Sequence, residues 1–367
     1  MIQGGMITMT GIKIGNKTSR LPIIQGGMGV GVSLHRLAGT VAKEGGIGII
    51  STADIGFQEP DFDTAPREAN LRAIKKEIAL AGEIACGGIL GVNIMVAGQQ
   101  YDDIVRECVA NEIDLIISGA GLPMKLPELI KGSKTKIAPI VSSARAFKLI
   151  LKGWVKRYDY IPDLVVVEGP LAGGHLGFSY DELSNNQQSL EEIVLEVLAA
   201  AKEAEQELGV KIPVIAAGGI YTSDDVSRFI ELGAAGVQVA TRFVVTEECD
   251  AAPEFKQAYI DAVEEDIEII HSPVGMPARA IRNSFIKRVE KQKEKIEKCC
   301  LCLKSCHIDK APYCITKALI NSVKGSISDG VIFCGSSVSR LKSMTTVKEL
   351  LHELCGFQSG TNAVAHV

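Results

Sequence analysis

Short, continuous apolar runs recur along roughly the first 240 residues, with amphipathic stretches between them. Parallel strands that are covered on both faces show this continuous rather than alternating pattern. The pattern predicts eight strands, near Ile23 to Gln25, Ile47 to Ser51, Leu90 to Met95, Leu115 to Ser118, Ile137 to Val141, Leu164 to Glu168, Val214 to Ala217 and Gly236 to Val239. Their starts are 22 to 50 residues apart, and most intervals fit a strand, a helix and two short loops.

The stretches between the runs contain helix signals. Ser33 is placed to cap an amphipathic helix, Ser189 and Glu192 form a capping-box pattern, and Thr222 precedes a helix that Gly233 is placed to end. Eight alternating units predict an α/β fold, a closed (β/α)8 TIM barrel whose functional residues lie on the loops after the strands. An open, doubly wound sheet also alternates, but eight nearly regular units favour closure.

After about Asp266 the pattern changes. We therefore predict a barrel over residues 1–266 and a C-terminal helical, cysteine-containing appendage over 267–367 that packs on or near the barrel mouth. A charged helix is expected from Lys287 to Lys298, followed by a cysteine cluster. Apolar residues further along, such as Leu350 and Leu351, give this region faces that can dock.

The composition narrows the class of partner. The chain has 39 basic and 44 acidic residues, a formal charge of −5, and no long block of either sign, so it shows no electrostatic footprint for nucleic acid or an anionic membrane. No apolar run approaches the roughly 20 residues that span a bilayer, and the N-terminus lacks an export signal. We expect a cytoplasmic protein with a small-molecule substrate, in which the ten cysteines are free thiols or metal ligands. The sequence is compatible with a homodimer.

One strand-end turn combines glycines with a histidine. Gly173 and Gly174 allow a ligand to approach the backbone closely, and His175 adds a titratable imidazole after the sixth strand. A tight loop whose histidine caps a neighbouring carbonyl is the alternative. Glycines also follow the seventh strand. On a barrel, the loops after the sixth and seventh strands lie at the same end. We predict a phosphate cradle there, formed by Gly218, Gly219, Ala240 and Thr241 before helix N-termini; glycines that serve only sharp turns are the alternative reading.

A set of ordered strings resembles the nitronate monooxygenase family, formerly called 2-nitropropane dioxygenases, whose barrel is shared by the flavin-dependent type II enoyl-ACP reductases. The resemblance runs from about Leu21 to Asn283, and the set is specific although each string alone is weak. The strings are Ile24 to Gly29, Gly45 to Ser51, Gly91 to Met95, Ala172 to Gly177, Ala217 to Ile220 and Ala278 to Asn283.

The resemblance implies a barrel that binds FMN without a covalent bond. It places Gly26, Gly27 and Met28 against the flavin ring and Asn93 within hydrogen-bonding reach of the ribityl chain or ring edge. It also places Glu168, Gly173 and Gly174 along the ribityl chain and Gln238 below it. His175 corresponds to the family's active-site histidine, able to remove the α-proton of a nitroalkane when neutral or to hold the nitro oxygens when protonated.

The implied reaction is oxidation of alkyl nitronates or nitroalkanes with O2 to a carbonyl compound and nitrite. An FMN- and NAD(P)H-dependent enoyl thioester reductase, with an acyl-carrier protein as partner, is the first alternative, and a non-enzymatic FMN-binding redox sensor is the second. Two positions depart from the family. Leu171 stands where many relatives have glutamate, which removes a charge partner of His175, and no lysine follows the fifth strand.

The cysteine cluster has two readings. Cys299, Cys302 and Cys306 are spaced closely enough to ligate zinc or an iron–sulfur cluster. A second well-spaced pair is missing, however, so structural or redox-inactive thiols are the favoured reading, and no metal is expected.

Overall fold

A computed structural model describes residues 10–185 and 188–357, so the outer ends of the two predicted regions lie outside the described residues. The strands are β1 (Lys13–Ile14), β2 (Lys17–Thr18), β3 (Ile23–Gln25), β4 (Ile47–Ser51), β5 (Ile89–Met95), β6 (Leu115–Gly119), β7 (Lys136–Val141), β8 (Val165–Glu168), β9 (Gly174–His175), β10 (Val214–Ala217), β11 (Gly236–Val239), β12 (Ile267–His271) and β13 (Pro277–Ile281).

Eight parallel strands close into a barrel in the order β10-β11-β3-β4-β5-β6-β7-β8. The predicted (β/α)8 TIM barrel and its eight strands are therefore confirmed. Apolar side chains fill the interior, as closure of a small barrel requires. Ile14 lies in the short antiparallel hairpin β1-β2, and Ile12 lies just before it. Both pack in the barrel interior, and Ile12 lies beside Gly236 at the start of β11.

The α-helices are α1 (His35–Lys43), α2 (Pro66–Ala85), α3 (Tyr101–Ala110), α4 (Leu126–Leu129), α5 (Ala144–Tyr158), α6 (Tyr180–Ser184), α7 (Leu190–Leu208), α8 (Ser223–Glu231), α9 (Thr241–Val244), α10 (Pro253–Asp261), α11 (Ser284–Lys291), α12 (Ile315–Val323) and α13 (Val347–Leu354). Short 3-10 turns cover Glu264–Asp266, Ile327–Asp329 and Val338–Arg340. None of the described helices is long and apolar enough to cross a membrane.

The predicted helix starts are confirmed at α7 and α8 but not at α1. Both Ser189 and Thr222 form capping boxes. The prediction that Ser33 caps α1 is wrong, because its hydroxyl bonds to the backbone of Met28 instead. The Asp250 carboxylate accepts hydrogen bonds from the first N–H groups of α1, those of Leu34 at 2.7 Å, Arg36 at 3.3 Å and Leu37 at 3.3 Å.

The segment after Asp266 begins with strands rather than helices. The hairpin β12-β13 pairs antiparallel with β9 and forms a three-stranded sheet. The predicted helix from Lys287 to Lys298 is confirmed only in its first part, because α11 ends at Lys291. Most residues from 290 to 299 are exposed, so a longer helix would have little apolar face to bury. Further along, α13 packs on α1, α8 and α9 of the barrel. The division of the chain at residue 266 stays a prediction.

Candidate active site

A cavity of about 290 Å³ opens among the loops that follow the barrel strands. It is lined by His175 and by all of the predicted cofactor-binding residues, which are Gly26, Gly27, Met28, Asn93, Glu168, Gly173, Gly174, Gly218, Gly219, Gln238, Ala240 and Thr241. The structure thus brings these residues together, whereas their individual roles stay predictions. In a TIM barrel, active sites occupy this end.

The glycine loop after β3 is held by hydrogen bonds to neighbouring residues. The buried Gln25 side chain donates from Nε2 to the Gly26 carbonyl at 2.5 Å and accepts at Oε1 from the Ile49 N–H at 3.0 Å. The Ser33 hydroxyl accepts from the Met28 N–H at 2.8 Å. Gly26, Gly27 and Met28 therefore present a fixed backbone surface to the cavity.

Polar side chains project from strand ends into this cavity. Asn93 belongs to β5, Glu168 ends β8 and Gln238 belongs to β11. The Gln238 Oε1 atom is buried without a hydrogen-bond partner among the described residues. Burial raises the pKa of Glu168 to about 7, because the charged carboxylate is poorly solvated there. A buried amide oxygen without a partner is a place where a ligand donor is needed.

The predicted phosphate cradle combines two loops with the starts of α8 and α9. At the start of α8 the Thr222 hydroxyl accepts from the Asp225 N–H, and the Asp225 carboxylate accepts from the N–H groups of Tyr221 and Thr222, while α9 spans only Thr241–Val244. The contribution of the helix N-termini stays a prediction. The loop itself supplies donors, because the N–H groups of Gly218 and Gly219 have no acceptor in the described part of the chain. Their φ angles of +98° and +87° suit glycine.

His175 lies on β9 and is positioned by the segment beyond the barrel. Its Nε2 atom is 2.7 Å from the Ser272 hydroxyl, and its ring packs edge to face on Phe333 at 5.0 Å between centroids. The backbone pairs with Ala278 of β13. Burial lowers the pKa of His175 to about 4, so the imidazole is neutral at pH 7. No carboxylate bonds to it among residues 10–185 and 188–357, consistent with Leu171 at the family's glutamate position.

Several residues that line this cavity or contact its lining were missed by sequence reasoning. Ser272 is one, because 97 residues separate it from His175 and no spacing pattern marks it. Phe333 and Gly335 line the cavity, and the Gly335 N–H donates to the Thr241 hydroxyl at 3.0 Å. Arg279 was also missed, although it lies in the family-like string Ala278 to Asn283. Its buried guanidinium donates to the Pro170 carbonyl at 2.9 Å and to the Ala172 carbonyl, and these bonds hold the turn before His175.

The cysteine cluster touches the same cavity. Of the three candidate metal ligands, Cys302 lines the cavity, Cys306 is half-buried and Cys299 is exposed. Within the ranges that the structure describes, no three histidine, cysteine or acidic side chains are arranged to hold a metal ion. The ten cysteines are all free thiols.

Comparison with known proteins agrees with this geometry. The family model described as nitronate monooxygenase matches residues 12–356. A probable nitronate monooxygenase of Bacillus subtilis (strain 168) is 26% identical over 369 residues, covering 91% of this chain and 95% of that protein. The structure of FabK from Thermotoga maritima aligns with a TM-score of 0.69 at 25% identity, over 91% of each chain.

A nitroalkane oxidase from Streptomyces ansochromogenes aligns with a TM-score of 0.69 over 92% of this chain and 95% of that chain. At 18% identity, this likeness shows the fold alone. The family match is stronger, since it spans nearly all the described residues. The chain therefore belongs to the nitronate monooxygenase family of oxidoreductases.

Proposed function

We propose that the cavity binds FMN and that the protein oxidises alkyl nitronates or nitroalkanes with O2 to a carbonyl compound and nitrite. The observation that supports this most is the meeting, in one cavity, of unpaired loop N–H groups and a buried, neutral histidine. The first suits a phosphate and the second suits proton transfer beside a redox cofactor.

The residues present fit FMN. The N–H groups of Gly218 and Gly219 have free donor capacity for phosphate oxygens, and Thr241 lines the same cavity. The unpartnered Gln238 Oε1 can accept from a ribityl hydroxyl or a ring N–H. The fixed backbone at Gly26 and Gly27 offers a flat surface to an aromatic ring. When bound, FMN supplies the redox chemistry.

The chain itself supplies the proton chemistry. Ser272 occupies Nε2 of His175, which leaves Nδ1 as the ring nitrogen without a partner in the described chain. Because the pKa of His175 is lowered to about 4, the neutral ring can accept the α-proton of a nitroalkane at neutral pH. The Ser272 hydroxyl and the Phe333 ring fix the plane of the imidazole. The low pKa favours this base role over a protonated His175 that holds nitro oxygens.

The test is aerobic turnover by the purified, FMN-loaded protein. We expect yellow protein and nitrite released in proportion to the O2 consumed when propionate-type nitronates are supplied, without NADH or NADPH. Protein that binds no flavin even after FMN is added would overturn the proposal of an FMN site. Flavin binding without nitrite release would overturn only the nitronate reaction.

An FMN- and NAD(P)H-dependent enoyl thioester reductase is the second candidate. It is supported by the likeness to FabK and by the absence of lysine after the fifth barrel strand, where Ser142 and Ser143 follow β7. Rapid anaerobic bleaching of the flavin by NADH or NADPH, followed by turnover of an enoyl thioester, would favour it. A non-enzymatic sensor receives less support, because the chain belongs to an oxidoreductase family.

A further inference from the structure

Two neighbouring helices on the outside of the barrel carry opposite charges. Helix α5 has five cations and no acidic residue, and α7 has six glutamates and one lysine. The two helices pack against each other. Among the ion pairs of the described residues, one joins them, from Lys148 to Glu203 at 2.7 Å. In a chain with a formal charge of −5, α5 is therefore a local positive surface with a negative surface directly beside it.

The charges of α5 lie on the face turned away from the barrel. Phe147, Ile150 and Trp154 are buried, whereas the opposite face of the helix is exposed. This exposed stripe, at helical spacing, is formed by Arg145, Lys148, Leu149, Lys152 and Lys156. Apart from Lys148, its cations have no carboxylate partner within residues 10–185 and 188–357. The stripe thus has unused charge that a partner can match.

Helix α7 presents a face of the same construction and the opposite sign. Ile193, Val194 and Val197 are buried under it. The exposed stripe is formed by Glu192, Leu195, Glu196, Ala199, Lys202, Glu203 and Gln206. Each stripe includes an exposed leucine, since Leu149 is 52% exposed and Leu195 is 48% exposed. An apolar contact point surrounded by charged side chains matches the apolar centre and polar rim of protein interfaces.

We propose that the two exposed stripes, together called the α5–α7 face, bind a second copy of this chain. A two-fold axis along the groove between the helices lays α5 of one copy on α7 of the other, and symmetry supplies the reverse contact. Both contacts then join cations to glutamates. A different acidic protein would match α5 but would meet the glutamates of α7, so a second copy fits the whole face better. This inference does not rest on the proposed function.

The size of the α5–α7 face sets the expected affinity. At a rise of about 1.5 Å per residue, the 15 residues of α5 and the 19 residues of α7 span roughly 22 and 28 Å. Two helices side by side are roughly 20 Å wide, so the face covers roughly 500 Å² per copy. The pair would bury about 1,000 Å², the lower limit for a specific interface. We therefore expect a weak dimer, with a Kd on the order of 10 µM.

The experiment is sedimentation velocity on the FMN-loaded full-length protein from about 1 to about 100 µM. We expect a dimer at the higher concentrations, with a Kd at least about ten-fold weaker in 0.5 M NaCl than in 0.05 M NaCl, because exposed charges are screened. Lys152→Glu and Glu196→Lys should each weaken the Kd at least about ten-fold, since like charges then face each other. An equal mixture of the two variants should associate more tightly than either alone, because the reversed charges then meet their opposites.

Lys75→Glu is the matched control, because Lys75 is an exposed lysine on α2, away from the α5–α7 face. It should leave the Kd unchanged, and equal flavin content in all variants would show that they are folded. Unmodified protein that stays monomeric at about 100 µM in low salt would overturn the inference. So would a dimer that Lys152→Glu and Glu196→Lys leave intact. Monomeric protein that binds an acidic acyl-carrier protein, and loses it in Lys152→Glu, would assign α5 to that partner instead of a second copy.

Discussion

The cavity has two walls with different origins. The barrel wall consists of Gly26, Gly27, Asn93 and the loop at Gly218 and Gly219, all in the barrel sheet or within a few residues of a strand end. The appendage wall consists of residues beyond Asp266, chiefly Phe333 and Gly335. The barrel wall offers backbone donors and flat surfaces. The appendage wall contacts the imidazole. Under the proposed function, cofactor binding and proton transfer depend on different parts of the chain, and variants in each wall test that separation.

The largest effect is expected from His175→Gln. Removal of the imidazole should lower nitronate or nitroalkane turnover by roughly 10²- to 10⁴-fold, the usual contribution of a general acid–base group. Flavin retention should not change, because the barrel wall is intact. Turnover and flavin content of the same preparation check this. His35→Gln, on the outer helix α1, is the control, and an equal loss of turnover in both variants would contradict the assignment.

Gly219→Asp should remove FMN while leaving the appendage wall in place. A carboxylate near the phosphate repels it, and the φ of +87° disfavours any side chain, so we expect affinity to fall roughly 100-fold. Flavin fluorescence titration measures this change. Gly219→Ala adds a side chain that crowds Leu171 but carries no charge, so it separates the effect of crowding from that of charge. Gly132→Asp makes the same substitution at a φ of +83° in open space. Unchanged flavin retention in Gly219→Asp would refute the cradle.

Ser272→Ala should lower kcat about ten-fold by freeing the imidazole to rotate. The folded-state pKa of His175 is depressed to about 4, so its base form exists above that pH and is lost as pH falls through it. Activity should rise with pH through about 4 and stay flat to about pH 8. Burial, rather than Ser272, causes the low pKa, so the inflection should not move in the variant. A shift toward 6.5 would show that the hydroxyl has the larger influence.

Asp250→Ala should destabilise the fold by about 1–2 kcal/mol, since the carboxylate bonds three N–H groups at the start of α1. Urea denaturation measures the free energy of unfolding. Asp224→Ala is the comparison: this exposed acid lies in the first turn of α8, where Thr222 and Asp225 form the capping box. Equal losses in the two variants would contradict a specific cap.

The smallest effect is expected from Glu353→Gln in α13. Its ion pair with Arg242 at 2.7 Å joins the appendage to the barrel, but the Glu353 side chain is 58% exposed, so we expect about 0.5 kcal/mol. Thermal unfolding checks the stability, and turnover should not change. A loss of flavin in this variant would show that the two walls are not separable.

The barrel wall was largely predictable from sequence, because buried parallel strands produce unbroken apolar runs. Each run ends close to the residues that it contributes to the cavity. The appendage wall was not, since contacts such as that of Ser272 with His175 join positions 97 residues apart. The cap of α1 was missed for the same reason: Asp250 lies 216 residues from Leu34. The helix beyond Lys291 was predicted wrongly because charge and propensity do not replace a buried face.

The pairing of β9 with β13 has one more consequence. The histidine is attached to a small satellite sheet instead of the barrel sheet, so its placement can be retuned without redesigning the eight-stranded scaffold. Sequence changes in the hairpin at Ile267 to Ile281 are expected to shift the imidazole without altering the glycine loops after β3 and β10. Directed evolution for new substrates is therefore best aimed at that hairpin first.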